Sequence, residues 1–244
     1  MYCQTRGIVM RRILILMLLL MPLWAQAASF QVNPVRLMLS ADRSTDVLKV
    51  INSSDTPTVV QLQIVAWSQE GGKDIYTSSR KLLATPPIFT VAPGSQQVVR
   101  VGMRSKPDAK QETCYRLFLM EVPPAPSSGF RGVQIALRVG IPVFVEPAMN
   151  TEPALEWSAK QLTATTLQVT AANVGTAHAQ ILKWILEAPD QTRPLAQEFG
   201  SYVLPGANHT WTLKLAAPLT VSTPLEITAD TDRGTLHAQL VLGK

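Results

Sequence analysis

The sequence predicts an all-β protein made of two β-sandwich domains. Short runs of alternating apolar and polar residues recur along the chain, and turn-forming clusters of Pro, Gly, Asn, Ser and Asp separate them at roughly 8–12 residue intervals. No convincing helical periodicity follows the N-terminal segment. A chain of 244 residues is long enough for two domains of common size.

The N-terminal segment has the three parts of a secretory signal peptide. Arg6, Arg11 and Arg12 form a basic region, an unbroken apolar run follows at 13–20, and a small-x-small cleavage site ends at Ala27. The apolar run is too short for a membrane-spanning helix. We therefore predict a signal peptide at 1–27, export of the mature chain, and domains at 28–147 and 153–244 with a linker between them.

The net charge and the cysteine content restrict the class of protein further. Removing the signal takes away three arginines and no acidic residue, so the formal net charge falls from +5 to +2. No basic stripe with interleaved aromatic residues is present, which argues against nucleic acid as a partner. Cys3 lies in the signal and leaves Cys114 as the only cysteine of the mature chain. An exported chain without a disulfide must depend on its hydrophobic cores.

Strands are predicted in both halves of the chain. Pro34 lacks an N–H donor, so it predicts an edge or a switch between sheets within the first strand. Prolines at 86 and 87 exclude a helix around them. The predicted strands of the first half span residues 29–40, 46–51, 58–67, 85–91, 97–103, 113–122 and 132–146. Those of the second half span 155–159, 166–171, 180–186, 210–215, 225–229 and 235–242.

Residues 132–146 show the clearest alternation of the chain. Apolar side chains fall on every second position and therefore share one face of an extended strand. Two interpretations stay open: the face fills its own domain's core, or it lends apolar side chains to a partner outside the domain. The row consists of Val133, Ile135, Leu137, Val139 and Ile141.

Patterns typical of enzymes are missing from the sequence. His178, His209 and His237 are far apart and fit no metal-ligand spacing, so surface or loop positions are expected for all three. Cys114 lies in a predicted strand without a nearby histidine, which favours a small buried side chain over a nucleophile. We expect no enzymatic activity, no metal and no cofactor.

Four segments together make the first domain resemble the periplasmic chaperones of the chaperone–usher pathway for pili and fimbriae. The first segment is NPVR at 33–36, and the second is TPPIF at 85–89 together with PGSQQVVR at 93–100. The third runs from Glu112 through YRL at 115–117 to EVPP at 121–124, and the fourth is VQIAL at 133–137. The resemblance is weaker in the second domain, and the sequence at 115–119 is closer to that of a divergent branch of the family. It implies two immunoglobulin-like β-sandwich domains in an L-shaped arrangement.

The resemblance also implies a function, donor-strand complementation, in which the chaperone supplies a strand that a pilin subunit lacks. Val133, Ile135 and Leu137 match the family's donor residues by position, and Val139 and Ile141 would extend the row. The implied partners are pilin or fimbrial subunits and an outer-membrane usher, with the mature protein in the periplasm. Self-association of the free protein through the donor strand stays open.

The family also holds the subunit's C-terminal carboxylate with two basic residues. Arg36 matches the first, but the second, a lysine in the family, falls on Pro142. Arg138 lies on the same strand face, and Arg116 and Arg100 lie on predicted strands, so each of the three is a candidate to replace it.

A buried interdomain charge pair of the family is altered as well. Its acidic member matches Glu112, whereas its arginine falls on Glu146.

Two other classes of protein compete with the chaperone interpretation. A structural fimbrial subunit or adhesin of tandem sandwich domains would carry an N-terminal donor extension and often a disulfide, and neither is visible here. A secreted carbohydrate- or copper-binding module is the second alternative, and the scattered histidines count against copper.

Overall fold

The computed structural model describes residues 30–108, 110–126, 128–129, 131–188, 194–219 and 224–243. The signal peptide predicted at 1–27 lies outside these ranges. Strands, turns and bends account for the regular structure of the described residues, with no helix among them, so the all-β prediction is confirmed. Within these ranges there is accordingly no helix that could cross a membrane.

Ten strands between Phe30 and Val145 form the first sandwich. One sheet has the strand order β1-β3-β8-β6, and the other has the order β2-β10-β9-β4-β5 with β7 paired to β4. The strands are β1 (Phe30–Asn33), β2 (Leu37–Leu39), β3 (Thr45–Asn52), β4 (Thr58–Glu70), β5 (Lys73–Ser78), β6 (Leu82–Thr85), β7 (Ile88–Val91), β8 (Gln96–Met103), β9 (Thr113–Glu121) and β10 (Arg138–Val145).

The alternating pattern of these strands produces the first core. In β3, Leu48 and Val50 are fully buried while the residues between them face outward. The central strand β9 contributes Leu117 and Leu119, which are also fully buried. Burial of each such side chain stabilises the fold by roughly 1.5–3 kcal/mol, so a sandwich without a disulfide can depend on this packing.

The chain changes sheets at Pro34, as predicted. β1 pairs with β3 in one sheet, whereas β2 pairs in parallel with β10 in the other. Proline cannot donate a ladder hydrogen bond, so the strand predicted at 29–40 breaks there into two. The break places Arg36 between two strands, at the surface of the first sandwich.

Eight strands between Leu155 and Gly243 form the second sandwich. Their order is β14-β13-β17-β18-β11-β12-β16, with β15 paired to β13, and only two parallel residue pairs join β18 to β11. Trp184 is fully buried at the centre, with Trp157 and Trp211 against it. The strands are β11 (Leu155–Thr163), β12 (Thr166–Asn173), β13 (Ala179–Glu187), β14 (Ala196–Phe199), β15 (Tyr202–Val203), β16 (Asn208–Lys214), β17 (Pro224–Thr231) and β18 (Gly234–Gly243).

A third, small apolar cluster joins the two sandwiches. Trp67 and Phe144 from the first sandwich pack with Leu204 from the second. Gln69 reinforces this contact, because its amide donates to the Tyr202 carbonyl at 3.0 Å and accepts from the Leu204 N–H at 3.0 Å. These contacts hold the two sandwiches together where Arg36 and Arg116 lie, two of the predicted anchor residues.

Candidate functional site

Residues 131–137 lead into β10 and form no strand. Val133 and Ile135 are 87% and 83% exposed, the highest values among the large apolar side chains of the described chain. Within the part that the structure describes, residues 133–136 make no backbone hydrogen bond. The segment therefore presents unpaired backbone groups and apolar side chains together.

Three hydrogen bonds hold this segment beside the end of β9. The Leu137 N–H donates to Glu121 Oε2 at 3.1 Å, and the Glu121 N–H donates to the Leu137 carbonyl at 2.9 Å. The Gln134 amide donates to the Pro124 carbonyl at 2.9 Å. The segment is thus attached at its C-terminal end and continues the direction of β10.

The alternating row divides into three environments along its length. Leu137 and Val139 are partly buried and pack against the first core. Ile141 is only 3% exposed and lies inside that core, opposite Leu117 of β9. The strand predicted at 132–146 consequently begins only at Arg138, and Ile141 is corrected from an outward-facing donor residue to a core residue. The alternation of apolar residues alone could not show where the core of the first sandwich ends.

Arg36 connects the two sandwiches at the cleft. Its Nη1 donates to Asp232 Oδ2 at 2.6 Å and lies 3.5 Å from Gln180 Oε1. Asp232 belongs to the turn between β17 and β18 of the second sandwich. The Arg36 side chain is 35% exposed, so the guanidinium remains reachable from solvent.

Arg116 is the second predicted anchor candidate that reaches the cleft. It lies on β9 directly opposite Pro142 of β10, so the two side chains share one face of the sheet. Its Cζ lies 3.8 Å from the centre of the Trp67 ring and 5.9 Å from that of Tyr202. Its Nη2 is 3.9 Å from Asp74 Oδ2.

Asp74 remains ionised beside Arg116. Burial acts to raise the pKa of this carboxyl, but hydrogen bonds and the nearby charge of Arg116 outweigh burial and lower the pKa below its usual value. The bonds include one from the Gln69 amide at 3.0 Å and one from the Tyr76 hydroxyl at 2.9 Å.

Tyr202 lies between the two arginines. Its ring packs edge-on against Trp67 with 5.5 Å between ring centres. Burial raises the pKa of Tyr202, while the positive charges of Arg36 and Arg116 act in the opposite direction. The structure therefore brings Arg36 and Arg116 to one place, although they lie 80 positions apart in the sequence.

Arg138, the third predicted anchor residue, lies elsewhere. Its Cζ is 3.9 Å from the centre of the Phe118 ring, and its backbone pairs with Met120 near the start of β10. The residue is exposed, next to the segment 131–137. It does not join Arg36 and Arg116 around Tyr202.

A buried acid–histidine pair forms the junction between the sandwiches. Glu112 and His178 are 3% and 2% exposed, and His178 Nδ1 lies 2.8 Å from Glu112 Oε1. The same oxygen accepts the His178 backbone N–H at 3.1 Å, and the Glu112 N–H donates to the Thr176 carbonyl at 3.0 Å. The Phe144 ring stacks on the imidazole with 3.5 Å between centres.

The expectation of a surface or loop position holds for His178 only in part, because the residue lies in the loop before β13 but its side chain is buried. Its acidic partner, Glu112, is 66 residues away in the sequence, and no local sequence pattern predicts the contact. The resemblance pointed to position 146 for the partner of Glu112, but Glu146 is exposed. A basic side chain from the second sandwich takes that place instead.

Cys114 has the environment predicted for it. The side chain is buried, and burial together with the nearby Glu112 raises the pKa of the thiol well above its usual value. A thiol held protonated in this way is inert as a nucleophile. No cluster of three or more His, Cys, Asp or Glu that could hold a metal occurs among the residues that the structure describes.

The junction residues that sequence reasoning missed come from the second sandwich. His178, Gln180, Tyr202 and Asp232 approach the first sandwich from three different loops or strands. The sequence predicts a solvated turn at 230–234, and nothing in that segment distinguishes Asp232 from an ordinary acidic residue at the surface.

Comparison with known proteins assigns the first sandwich to a family. The family model described as pili and flagellar-assembly chaperone, PapD N-terminal domain, matches residues 29–150, which is half of the chain. The chaperone protein FimB/FhaD of Bordetella pertussis is 26% identical over 132 residues, and the match covers 50% of this chain and 52% of that protein. The match thus spans about half the length of this relative.

Solved structures extend the likeness to both sandwiches. The complex of CsuC with the tip adhesion subunit CsuE, from the archaic chaperone-usher Csu pili of Acinetobacter baumannii, matches with a TM-score of 0.65 and 18% identity, over 89% of this chain and 100% of that one. The complex of the SafA pilin with the SafB chaperone of Salmonella enterica matches with a TM-score of 0.59 and 19% identity, over 88% and 97%.

These matches show a fold of two immunoglobulin-like sandwiches, as the resemblance implied. The chain belongs to the pili and flagellar-assembly chaperone family.

The buried junction gives a first testable prediction. Replacing His178 by Ala leaves the Glu112 carboxyl buried without its side-chain hydrogen-bond partner, and we expect a loss of about 3 kcal/mol or more in the free energy of unfolding. Urea unfolding followed by circular dichroism measures this loss. His237→Ala is the matched control, because His237 is exposed on β18 and should change stability by less than about 0.5 kcal/mol. Similar losses in both variants would contradict a stabilising junction pair.

Proposed function

We propose that this chain is a periplasmic chaperone that binds pilin or fimbrial subunits by donor-strand complementation and delivers them to an outer-membrane usher. The single observation that carries the proposal is the exposed segment 131–137, called the donor segment below. It offers alternating apolar side chains and unpaired backbone groups in one extended stretch. Those are the two things that a β-sandwich lacking one strand needs.

Physical chemistry explains why such a segment would be kept exposed. Large exposed apolar side chains on an unpaired stretch promote aggregation unless a partner covers them. Burying Val133 and Ile135 in a partner's groove would contribute roughly 1.5–3 kcal/mol each before the costs of association. Strand pairing would add hydrogen bonds to the backbone of residues 133–136. Non-covalent contacts of this size support a stable complex without nucleotide or metal.

Leu137 and Val139 define the inner end of the proposed donor row. Both remain partly exposed while contacting the first core. A partner strand aligned with the donor segment would contact Leu137 and Val139 at the rim of the first sandwich. At this rim the partner's core would continue into the core of the chaperone. Ile141 takes no part in the proposed contact because it is already buried.

We further propose that Arg36 and Arg116 hold the C-terminal carboxylate of the bound subunit. Arg36 matches the family's first anchor. Arg116 lies across from Pro142, the position that matches the missing lysine, so the second cation comes from the neighbouring strand on the same face. The convergence of both arginines on Tyr202 supports this pair over Arg138. Two arginines can bind one carboxylate with several charge-assisted hydrogen bonds.

Relatives of similar architecture support the choice of partner. The titles of two solved structures describe complexes with a tip adhesion subunit and with a pilin. Membership of a chaperone family favours this function over the alternative of a structural subunit or adhesin. The proposed location in the periplasm depends on the signal peptide predicted at 1–27.

The donor segment gives the second prediction. Ile135→Asp places an unpaired charge in the partner's apolar groove, so subunit binding should weaken by about 100-fold or more. The chaperone itself should stay folded, because Ile135 is 83% exposed. Co-purification with the fimbrial subunits encoded in the same genome, alongside thermal melting of the free chaperone, measures both effects.

Ala136→Asp is the matched control for this experiment. Ala136 is exposed on the same segment but on the opposite face of the extended chain. Subunit recovery should therefore be nearly normal. Normal recovery with Ile135→Asp, or equal loss with both variants, would contradict recognition through an alternating apolar row.

The anchor gives the third prediction. Arg36→Ala and Arg116→Ala should each weaken subunit binding by about 30-fold to several-thousand-fold, because removing one partner of a desolvated charge pair costs about 2–5 kcal/mol. Amidating the subunit's C-terminus should remove most of this effect. Arg100→Ala, which removes an exposed arginine from the other sheet, should leave affinity within about threefold of wild type. Losses that persist with the amidated subunit would place both arginines outside a carboxylate site.

A further inference from the structure

The proposed anchor arginine already has a carboxylate bound to it. Asp232 Oδ2 accepts from Arg36 Nη1 at 2.6 Å, while Asp232 Oδ1 accepts the Gln180 backbone N–H at 3.2 Å. The Asp232 N–H in turn donates to the Gln180 carbonyl at 3.0 Å. The backbone of Asp232 is therefore fixed to β13, and its side chain reaches across to the first sandwich.

The contact between Asp232 and Arg36 is one that another carboxylate could displace. Within the described part of the chain, only Nη1 of Arg36 makes a hydrogen bond. A guanidinium binds a carboxylate best through two parallel hydrogen bonds. The Arg36 side chain is 35% exposed, so a main-chain carboxylate entering the cleft can reach it and form the bidentate contact that Asp232 does not form.

His178 offers a second position for the displaced carboxylate. Its Nε2 is buried, has no hydrogen-bond partner among the described residues, and lies 3.9 Å from Asp232 Oδ2. Its Nδ1 is 2.8 Å from Glu112 Oε1. An imidazole whose two nitrogens both donate can hold Glu112 at Nδ1 and Asp232 at Nε2.

We propose that Asp232 is an internal carboxylate that occupies Arg36 in the free chaperone and transfers to His178 when a subunit's C-terminal carboxylate takes Arg36. This inference rests on the proposed function. After the transfer the imidazole lies between Glu112 and Asp232, stacked on Phe144.

The surroundings of His178 contain the groups that such a transfer requires. Glu112 faces it from the first sandwich, Asp232 faces it from the turn between β17 and β18, and the Tyr202 ring lies 5.8 Å away between centres. Cys114 contributes a thiol that stays protonated and donates to Glu112 at 3.6 Å. Arg36 contacts Asp232, and Arg116 lies 5.9 Å from the centre of the Tyr202 ring. Carboxylate binding in the cleft is thereby coupled to the junction between the sandwiches.

Binding to Arg36 can be measured on the wild-type chain. The probe is a short peptide of alternating valine and threonine that ends in a free carboxylate, together with its C-terminally amidated counterpart. Titration calorimetry at pH 7 gives the affinity of each peptide. We expect the carboxylate peptide to bind about tenfold more tightly than the amidated one, because only a carboxylate can replace Asp232 on the guanidinium.

Asp232→Asn tests the competition directly. Asparagine keeps the shape of the side chain and loses its charge, so the carboxylate peptide should bind about three- to tenfold more tightly. Asp230→Asn is the control, because Asp230 is exposed in the same hairpin and, among the described residues, its side chain accepts only from Thr235, at 2.9 Å. Affinity should stay at the wild-type value in that control.

Arg36→Ala separates failure of this inference from failure of the proposed anchor. If the Arg36→Ala variant binds the carboxylate peptide as tightly as wild type does, the anchor itself is wrong. If Arg36→Ala weakens binding but Asp232→Asn weakens it too or leaves it unchanged, Asp232 merely positions Arg36 and the inference is overturned.

Discussion

In the proposed complex one strand would have to satisfy two hydrophobic interiors, and the arrangement of the first sandwich follows from this constraint. At its C-terminal end β10 supplies Ile141 and Val143 to the core of the first sandwich. Toward its N-terminal end the same alternating row leaves that core, and Val133 and Ile135 lie in solvent. The strand can remain attached at one end because β9 and β2 pair with it on both sides there. Its other end stays unpaired and free to join a partner.

The second requirement is a cleft whose walls do not move apart. A small apolar cluster, a bridging glutamine and a buried acid–histidine pair all connect the two sandwiches at the same place. They bring Arg36 of the first sandwich against Asp232 of the second, with Arg116 nearby across Tyr202. An anchor for a chain terminus needs this fixed relation to the donor segment, because a bound strand must satisfy both sites in one register.

The sequence predicted the elements whose signal is local. Alternation identified the strands that build both cores, and the missing N–H of Pro34 explained the change of sheet. The alternation of apolar residues shows which side chains share a face of a strand, but it does not show whether that face packs against the core of the same domain. For this reason the sequence predicts a start of β10 several residues too early. The edge strands β5 and β14 were missed because they are short or largely exposed.

The site was only partly predictable. Arg36 and the donor residues were found through resemblance to a family, and Arg116 was one of several candidates until its register opposite Pro142 was known. His178 and Asp232 could not be found, because their roles arise from contacts between residues more than 60 positions apart. The replacement of a family arginine by a histidine from the other domain is invisible to any one-segment pattern.

Amide hydrogen exchange over residues 131–137 tests the central claim most directly, namely that this segment becomes a strand of the subunit complex. In the free chaperone these amides should exchange at nearly unprotected rates, because no ladder holds residues 133–136 in the described structure. In the complex we expect strong protection of alternate amides in the segment, while amides of β9 remain protected in both states. Unchanged fast exchange of residues 131–137 in a stable subunit complex would contradict donor-strand binding.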